Sequence, residues 1–330
     1  MYAIRLHAFG PAENLVYEQV DDPEPAPGQV RVAVTAAGVH LLDTTLRLGD
    51  PNGPYPPPPL PTIPGREVAG TVEAVGEGVD ETWLGRRVVA HLGMAPGGYA
   101  EKAVVAAERL HALPDSLRED HAIAMIGTGR TTMAMLRFAG LTGDDTVVVT
   151  AAAGGIGSLL VQYAKGIGAT VIALAGGPAK TERARELGAD HAFDYSADGW
   201  VEHARTALGG PVGTVVLDSV GGELATGALD LLARGGRHLV LGWSSGAPLE
   251  LTEEEQAVRG IVSRPVLGGP EWRPLLTDPA KLRELEEEAL AEATAGRLVP
   301  AVHPFPLAEA AAAHRALESR GTMGKVVLVP

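Results

Sequence analysis

The stretch of this 330-residue chain best suited to chemistry is Ala151-Ala152-Ala153-Gly154-Gly155-Ile156-Gly157. It follows a β-branched run, Thr146–Thr150, and precedes a helical stretch that reads as opening at Ser158; a second apolar run follows at Thr170–Ala175. A strand, a small-residue turn and a helix in that order present backbone N–H groups at a helix N-terminus. An anionic pyrophosphate can be held there, provided that no bulky side chain keeps it away. Gly157 would let the helix pack tightly on the sheet. The pattern is AxxGxxG, with Ala151 at the place usually taken by a first glycine. The same residues could form a tight βα turn without a ligand, but the full strand–turn–helix–strand context favours a dinucleotide.

The end of the second strand distinguishes the two nicotinamides. An NAD site places Asp or Glu there to hold the ribose 2′-hydroxyl. Here the strand ends Leu174-Ala175-Gly176-Gly177 and continues Pro178-Ala179-Lys180. There is no acid, there is room for a phosphate, and a cation follows, so NADPH is expected. Lys180 also fits a solvated helix position.

Around this turn the chain divides by rhythm. Tyr2–Leu6, Val30–Thr35, Val68–Val75 and Arg87–Ala90 are short apolar or alternating runs that predict a small, mostly antiparallel sheet domain. Asp21–Gly28 and Asp50–Pro64 are too rich in proline for helix or central strand. Ser116–Met125 and Arg130–Phe138 read as helical. Strands then alternate with helices: Lys180–Leu187, His191–Phe193, Thr214–Leu217 and His238–Leu241 continue the series, as expected of a doubly wound parallel sheet. Glu284–Thr294 and Leu307–Glu318 read as helices. Lys325–Val329 reads as a strand returning to the first domain. The expected organisation is a first domain over residues 1–120, a nucleotide-binding domain over 121–265 and a return of the first domain over 266–330.

Composition narrows the function classes. A net charge of −14 argues against nucleic acid or an anionic membrane as a general partner. With no cysteine, disulfides, zinc ribbons, iron–sulfur clusters and thiolate nucleophiles are excluded. No apolar run reaches the length of a bilayer span, and the first residues, MYAIRLHAFG, lack a secretory pattern, so the cytoplasm is expected.

Several segments together resemble the medium-chain dehydrogenase/reductase superfamily, and within it the quinone oxidoreductase (zeta-crystallin-like) branch. They are AAGVHLLDTTLRLG, YPPPPLPTIPGREVAGTVEAVG, GGYAE, AAAGGIG, ARELGADHAFDY, VVLDSVGG, GGRHLVLGWSSG, SRPVL and GKVVLVP. The resemblance runs nearly end to end. It implies an α/β chain with a GroES-like, mostly antiparallel β catalytic domain and a Rossmann domain, a substrate cleft between them, and a homodimer built through the nucleotide domains.

Zinc alcohol dehydrogenases of the superfamily carry a ligand cysteine where this chain has His40 and a ligand histidine where it has Arg66, just before Glu67. A guanidinium stays protonated and cannot ligate. His40 and Glu67 alone fall short of the three protein ligands of a catalytic zinc. Arg66 and Glu67 could instead form an ion pair beneath the pocket, and His40 could be an ordinary hydrogen-bonded histidine. Quinone oxidoreductases have Asn at the place of His40 and Tyr at the place of Thr45, whereas Asp43, Tyr55 and Arg264 match them. The resemblance implies that Tyr55 and Arg264 orient the acceptor or the nicotinamide. It places Gly154, Gly155 and Ile156 at the pyrophosphate, Gly176, Gly177, Lys180 and Tyr195 at the 2′-phosphate, and Thr131 near the nicotinamide. Ser219, Val220, Gly242, Trp243 and Ser244 would flank the nicotinamide at strand ends, and Lys325 would reach the cofactor from the other domain unless it is simply solvated.

The implied activity is metal-free hydride transfer from NADPH to a quinone or α,β-unsaturated carbonyl, with a proton from solvent or His40. An alkenal/enone double-bond reductase, a non-catalytic NADPH-binding protein and a zinc alcohol dehydrogenase are the alternatives. The acidic balance weighs against the RNA-binding role some branch members have, and Arg66 weighs against the zinc enzyme.

Overall fold

The computed structural model describes residues 1–50 and 55–330, so part of the expected proline-rich segment Asp50–Pro64, residues 51–54, lies outside it. In chain order the strands are β1 (Tyr2–Leu6), β2 (Leu15–Gln19), β3 (Gln29–Val39), β4 (Glu67–Val75), β5 (Arg87–His91), β6 (Lys102–Ala106), β7 (His111–Ala112) and β8 (Thr146–Val149). They continue with β9 (Thr170–Ala175), β10 (His191–Asp194), β11 (Gly213–Asp218), β12 (Leu232–Val240), β13 (Val262–Pro265), β14 (Val302–Pro306) and β15 (Lys325–Val329). The helices that position the site are α1 (Leu41–Leu48), α2 (Glu119–Ala124), α3 (Arg130–Ala139), α4 (Gly155–Gly166) and α5 (Pro178–Glu186). No helix among the described residues is long and apolar enough to cross a membrane.

The chain forms two compact units. Unit 1 comprises Met1–Thr128, Ala289–Thr294 and Pro300–Pro330; unit 2 comprises Gly129–Glu288 and Ala295–Val299. In unit 1 the sheet runs β14-β15-β3-β4-β5-β7, with β6 also on β3. Its neighbours are antiparallel apart from the β14–β15 pair. The first half of β3, QVRVAV, alternates between half-buried and buried residues, the period of a strand with one covered face. Past Thr35 it is buried continuously, with Ala36, Ala37 and Val39 in the interior.

The register of this sheet gathers chemistry at one end. Ala37 pairs with Val68, Glu67 pairs with His91, and Val326 pairs with Val39. The end of β3, the start of β4, the end of β5 and the start of β15 therefore coincide. His40, Glu67, His91 and Lys325, scattered over most of the sequence, become neighbours.

Unit 2 holds a six-stranded parallel sheet in the order β10-β9-β8-β11-β12-β13. Counted from β8 this is 3-2-1-4-5-6, the doubly wound order whose reversal beside the first strand opens a ligand crevice. Val147, Val148 and Val149 are fully buried. Each such side chain contributes roughly 1.5–3 kcal/mol by leaving water, so the strand that presents the glycine turn is firmly held.

Of the elements whose bounds differ from the sequence expectation, two bear on the site. The helix after the turn opens at Gly155, three residues before Ser158, because Gly154 caps it and Ser158 N–H already bonds Gly154 C=O at 2.9 Å. The helix expected over Ser116–Met125 is the shorter α2, continued by a turn of π-helix, Met125–Gly129. That wider turn brings Gly127 so near Glu67 that a Cβ on it would lie 1.7 Å from Oε1.

Candidate active site

In unit 2, the turn after β8 depends on missing side chains. Ala151 adopts φ +47°, a left-handed conformation in which an L side chain crowds the next carbonyl at a cost of about 1 kcal/mol. This is the place where a glycine is usual, and the alanine tolerates it under strain. Gly154 N–H bonds Ala151 C=O at 2.8 Å, and α4 then begins. Gly155, Ile156 and Gly157 precede the first i→i−4 bond, so their N–H groups point out of the helix end, ready for an anion. A Cβ on Gly157 would sit 2.2 Å from the Ala151 carbonyl oxygen, so the helix closes on the turn only with glycine there.

At the end of β9, Gly176 lies under the Tyr195 side chain; a Cβ on it would meet the Tyr195 hydroxyl at 2.9 Å. Gly177, at φ +91°, caps α5, and half-buried Lys180 lies in that helix's first turn. An acid does stand nearby: Asp194, at the end of β10, accepts from Gly177 N–H at 2.7 Å and from the Ser196 N–H and hydroxyl at 2.9 and 2.5 Å. The Ser196 hydroxyl and these amides hold its carboxyl below the usual range. Its Oδ1 is thus committed to shaping the turn.

The strand ends at β11 and β12 are laced together. Ser245 N–H and Oγ both donate to Val220 C=O, at 3.0 and 2.6 Å, and Ser244 N–H donates to Ser219 C=O at 3.3 Å. Beneath them lies a network that sequence reasoning missed. Fully buried Asp218 accepts from the Thr150 hydroxyl (3.2 Å) and from Val220 and Gly221 N–H (3.0 and 3.1 Å). His238 Nε2 lies 3.4 Å from its other oxygen, and His238 Nδ1 lies 2.8 Å from Ser263 Oγ. The available signal was an Asp ending the apolar run VVLD. Trp243 is partly exposed. Thr131 lies in the first turn of α3, and exposed Arg264 donates to the Phe138 carbonyl at that helix's other end.

In unit 1, Glu67 is fully buried, with His40 Nε2 2.6 Å from Oε1 and Lys325 Nζ 2.8 Å from Oε2. These are ion-pair distances at angles that miss hydrogen-bond geometry, so the contacts are electrostatic rather than directional. Burial opposes ionisation of Glu67, but neighbouring His40 and Lys325 outweigh it and hold the carboxyl well below the usual range. Burial pulls the Lys325 ammonium below its ordinary value, with Glu67 opposing. Gly38 and Gly127 clamp the carboxylate: a Cβ on either would lie 2.0 or 1.7 Å from its oxygens. Lys325 is 4% exposed, which rules out the solvated alternative.

Arg66 does not pair with Glu67. Adjacent residues entering a strand face opposite sides, and Arg66 Nε instead donates to Asp43 Oδ1 at 3.2 Å. Asp43 Oδ2 accepts from the His40 backbone N–H at 2.8 Å, which caps α1, and from Tyr99 Oη at 3.1 Å. His314 Nε2 lies 3.2 Å from Tyr99 Oη, completing a buried chain. Burial pushes the His314 imidazole down to about 4. Tyr55, Arg66 and Asp43 line one cavity of ≈ 290 Å³. Thr45, one turn along α1 from His40, is half-buried.

His91, which sequence reasoning missed, lies close enough to His40 and Glu67 that one donor atom from each falls within 4.8 Å of the others. Three donors are the number a catalytic zinc takes, yet the set does not fit one. Lys325 already places a cation on Glu67. His91 Nδ1 accepts from Gly93 N–H at 2.9 Å, so in the neutral ring the proton sits on the remaining nitrogen.

Comparison with known proteins matches residues 26–115 to the alcohol dehydrogenase GroES-like domain and residues 155–277 to the zinc-binding dehydrogenase family. A 2-haloacrylate reductase from Burkholderia sp. is 35% identical, with 98% of each chain covered. A quinone oxidoreductase from Pseudomonas aeruginosa is 35% identical, with 99% of each covered. The crystal structure of Escherichia coli quinone oxidoreductase complexed with NADPH superposes with a TM-score of 0.84 at 31% identity, covering all of both chains.

Proposed function

The chain belongs to the quinone oxidoreductase branch of the medium-chain dehydrogenase/reductase superfamily, and we propose that it transfers a hydride from NADPH to a quinone or another conjugated carbonyl without a metal. The observation that carries this reading is the Ala151–Gly157 turn, where three outward N–H groups and a glycine that tolerates no Cβ form a pyrophosphate cradle. The cofactor fits the residues present. Gly154 to Gly157 would hold the pyrophosphate, and Gly176, Gly177, Lys180 and Tyr195 the 2′-phosphate. Thr131, Ser219, Val220, Gly242, Trp243 and Ser244 would surround the nicotinamide.

When bound, NADPH supplies the hydride; the protein supplies orientation and an electrophilic hydrogen bond. A proton would come from solvent or from His40, whose side chain is 20% exposed with its Nε2 2.6 Å from Glu67. Lys325 compensates the charge of Glu67, a supporting role beside its expected reach to the cofactor. Tyr55 and Asp43 would line the acceptor's surroundings, and Arg264, bound to Phe138, would steady the end of α3.

A carbon–carbon double-bond reductase is the second reading, favoured by the 2-haloacrylate reductase relative. The test is NADPH oxidation with a panel of ortho- and para-quinones against 2-alkenals and enones. Quinone turnover is expected; turnover of enones alone would replace the first reading by the second. Tight NADPH binding with no turnover would make the chain a binding protein. NADH should be the poorer donor by at least about tenfold, a difference of about 1.4 kcal/mol, and equal efficiency would defeat the Lys180/Tyr195 assignment. The same reading makes the protein a cytoplasmic homodimer, which sedimentation of the purified protein tests for oligomeric state.

A further inference from the structure

Fully buried Asp218 ends β11, and β11 lies beside β8 where the strand order of unit 2 reverses. Doubly wound sheets bind ligands in the crevice at that reversal, beyond the carboxyl ends of the strands. Asp218 links the two strands that border it. Its Oδ1 accepts from the hydroxyl of Thr150, the residue just before the Ala151–Gly157 turn, and from the N–H groups of Val220 and Gly221 in the next loop. Its backbone carbonyl accepts from Leu241 and Gly242 N–H, at 2.6 and 3.2 Å, so the same residue also holds the chain leaving β12.

Loop 219–221 needs such a hold. Gly221 and Gly222 take φ +78° and +60°, left-handed values at which glycine is favoured and its backbone is least restrained by sterics. The far carboxylate oxygen is aligned in turn: His238 Nε2 lies 3.4 Å from Oδ2, and His238 Nδ1 lies 2.8 Å from Ser263 Oγ. An ionised carboxylate only accepts, so the ring proton facing it sits on Nε2 and Ser263 orients the ring from the other side. Asp218 and His238 have no exposed surface. A buried network with its donors and acceptors matched acts by rigidifying what surrounds it.

We propose that Asp218, aligned by His238 and Ser263, is a positioning residue that sets loop 219–221 against the Ala151–Gly157 turn, and with it the nicotinamide end of NADPH against its pyrophosphate. The inference rests on the NADPH reading and adds to it the group that keeps the two halves of the cofactor in register.

The experiment separates those halves. Adenosine 2′,5′-bisphosphate carries the 2′-phosphate and one phosphate of the bridge but no nicotinamide. In calorimetric titrations of the full chain, Asp218→Ala should weaken NADPH at least about tenfold, because two loop amides lose their acceptor, and leave the bisphosphate within about twofold. Asp218→Asn, whose amide oxygen can accept the same three bonds, should restore NADPH to within about threefold of the wild type. Equal weakening of NADPH and bisphosphate by Asp218→Ala would mean a general loosening of the unit and would overturn the assignment, as would an unchanged NADPH affinity. If Asp218→Ala does not fold, hydrogen exchange decides. Asp218→Asn exchanges a charged acceptor for a weaker neutral one, so the Val220 and Gly221 amides should exchange at least about tenfold faster relative to those of β8; an unchanged ratio overturns the assignment. Failure of the wild type to bind NADPH would defeat the cofactor reading and this inference with it. Binding without turnover of any acceptor would defeat only the activity, and the two affinities would still decide the role of Asp218.

Discussion

The two ends of this chemistry are built by opposite means. The proposed cradle in unit 2 is made by backbone, from residues within one short turn, and depends on Gly157 lacking a Cβ. The cluster in unit 1 is made by side chains from four separated places, His40, Glu67, His91 and Lys325, and works because each charge finds another. A backbone site is robust to its surroundings and intolerant of one added carbon. A buried ionic site tolerates shape changes poorly as well, but its vulnerability is the loss of a partner, because a lone charge in the interior costs more than the pair contributes.

The strongest test of that contrast removes one charge at a time. Glu67→Gln or Lys325→Met should each destabilise the protein by about 3–5 kcal/mol in urea unfolding, by leaving its partner buried and uncompensated. The double substitution should recover at least about 1 kcal/mol of the summed loss. Strict additivity would mean that the two groups act independently, and would break the comparison. Next, Gly157→Ala should weaken NADPH binding about a hundredfold, about 2.7 kcal/mol, because its Cβ meets an immovable carbonyl. Unaltered affinity in a fluorescence titration would show that the cradle lies elsewhere.

A third effect belongs to the side-chain site alone. His314 is neutral when folded down to about pH 4, whereas an unfolded histidine takes up its proton near 6.5. The unfolded chain then binds more protons between those values, so stability should fall as pH drops through that window, by up to about 1.4 kcal/mol per unit. His314→Gln should remove roughly 2 kcal/mol of the difference between pH 7 and pH 5; an identical pH slope in both proteins would sink this account. The smallest effect returns to the cradle. Ala151→Gly should relieve the left-handed strain and raise stability by about 1 kcal/mol or less, with NADPH affinity kept. A lowered melting temperature would show that the alanine is not strained.

The same contrast explains what could be read from sequence. The β8–turn–α4–β9 unit was legible because its signal is local: β-branched strand, small residues, helix, strand. Even there the helix start was read three residues late, since glycines look like loop until their capping role is seen. Arg66 and Glu67 were singled out correctly as unusual but paired wrongly, because adjacency in sequence at a strand's start means opposite faces. His91 carried no local mark; it became a neighbour of Glu67 only through antiparallel register. Asp218 and His238 were hidden for the same reason, since their bond joins two parallel strands separated by a helix.

The position of β15 has a consequence for how the protein is made. Unit 1 needs that strand beside β3 and needs its first residue, Lys325, beneath Glu67. At about 5–20 residues per second on the ribosome, on the order of ten to fifty seconds pass between synthesis of Glu67 and of Lys325. During that interval the end of β3, Ala37 to Val39, lacks its partner and leaves an edge of the kind that invites pairing with another chain, and a carboxylate destined for burial lacks its Lys325 counter-charge. The strands of unit 2 are all synthesised in the meantime, so the nucleotide-binding unit can finish folding while the other waits for its last strand.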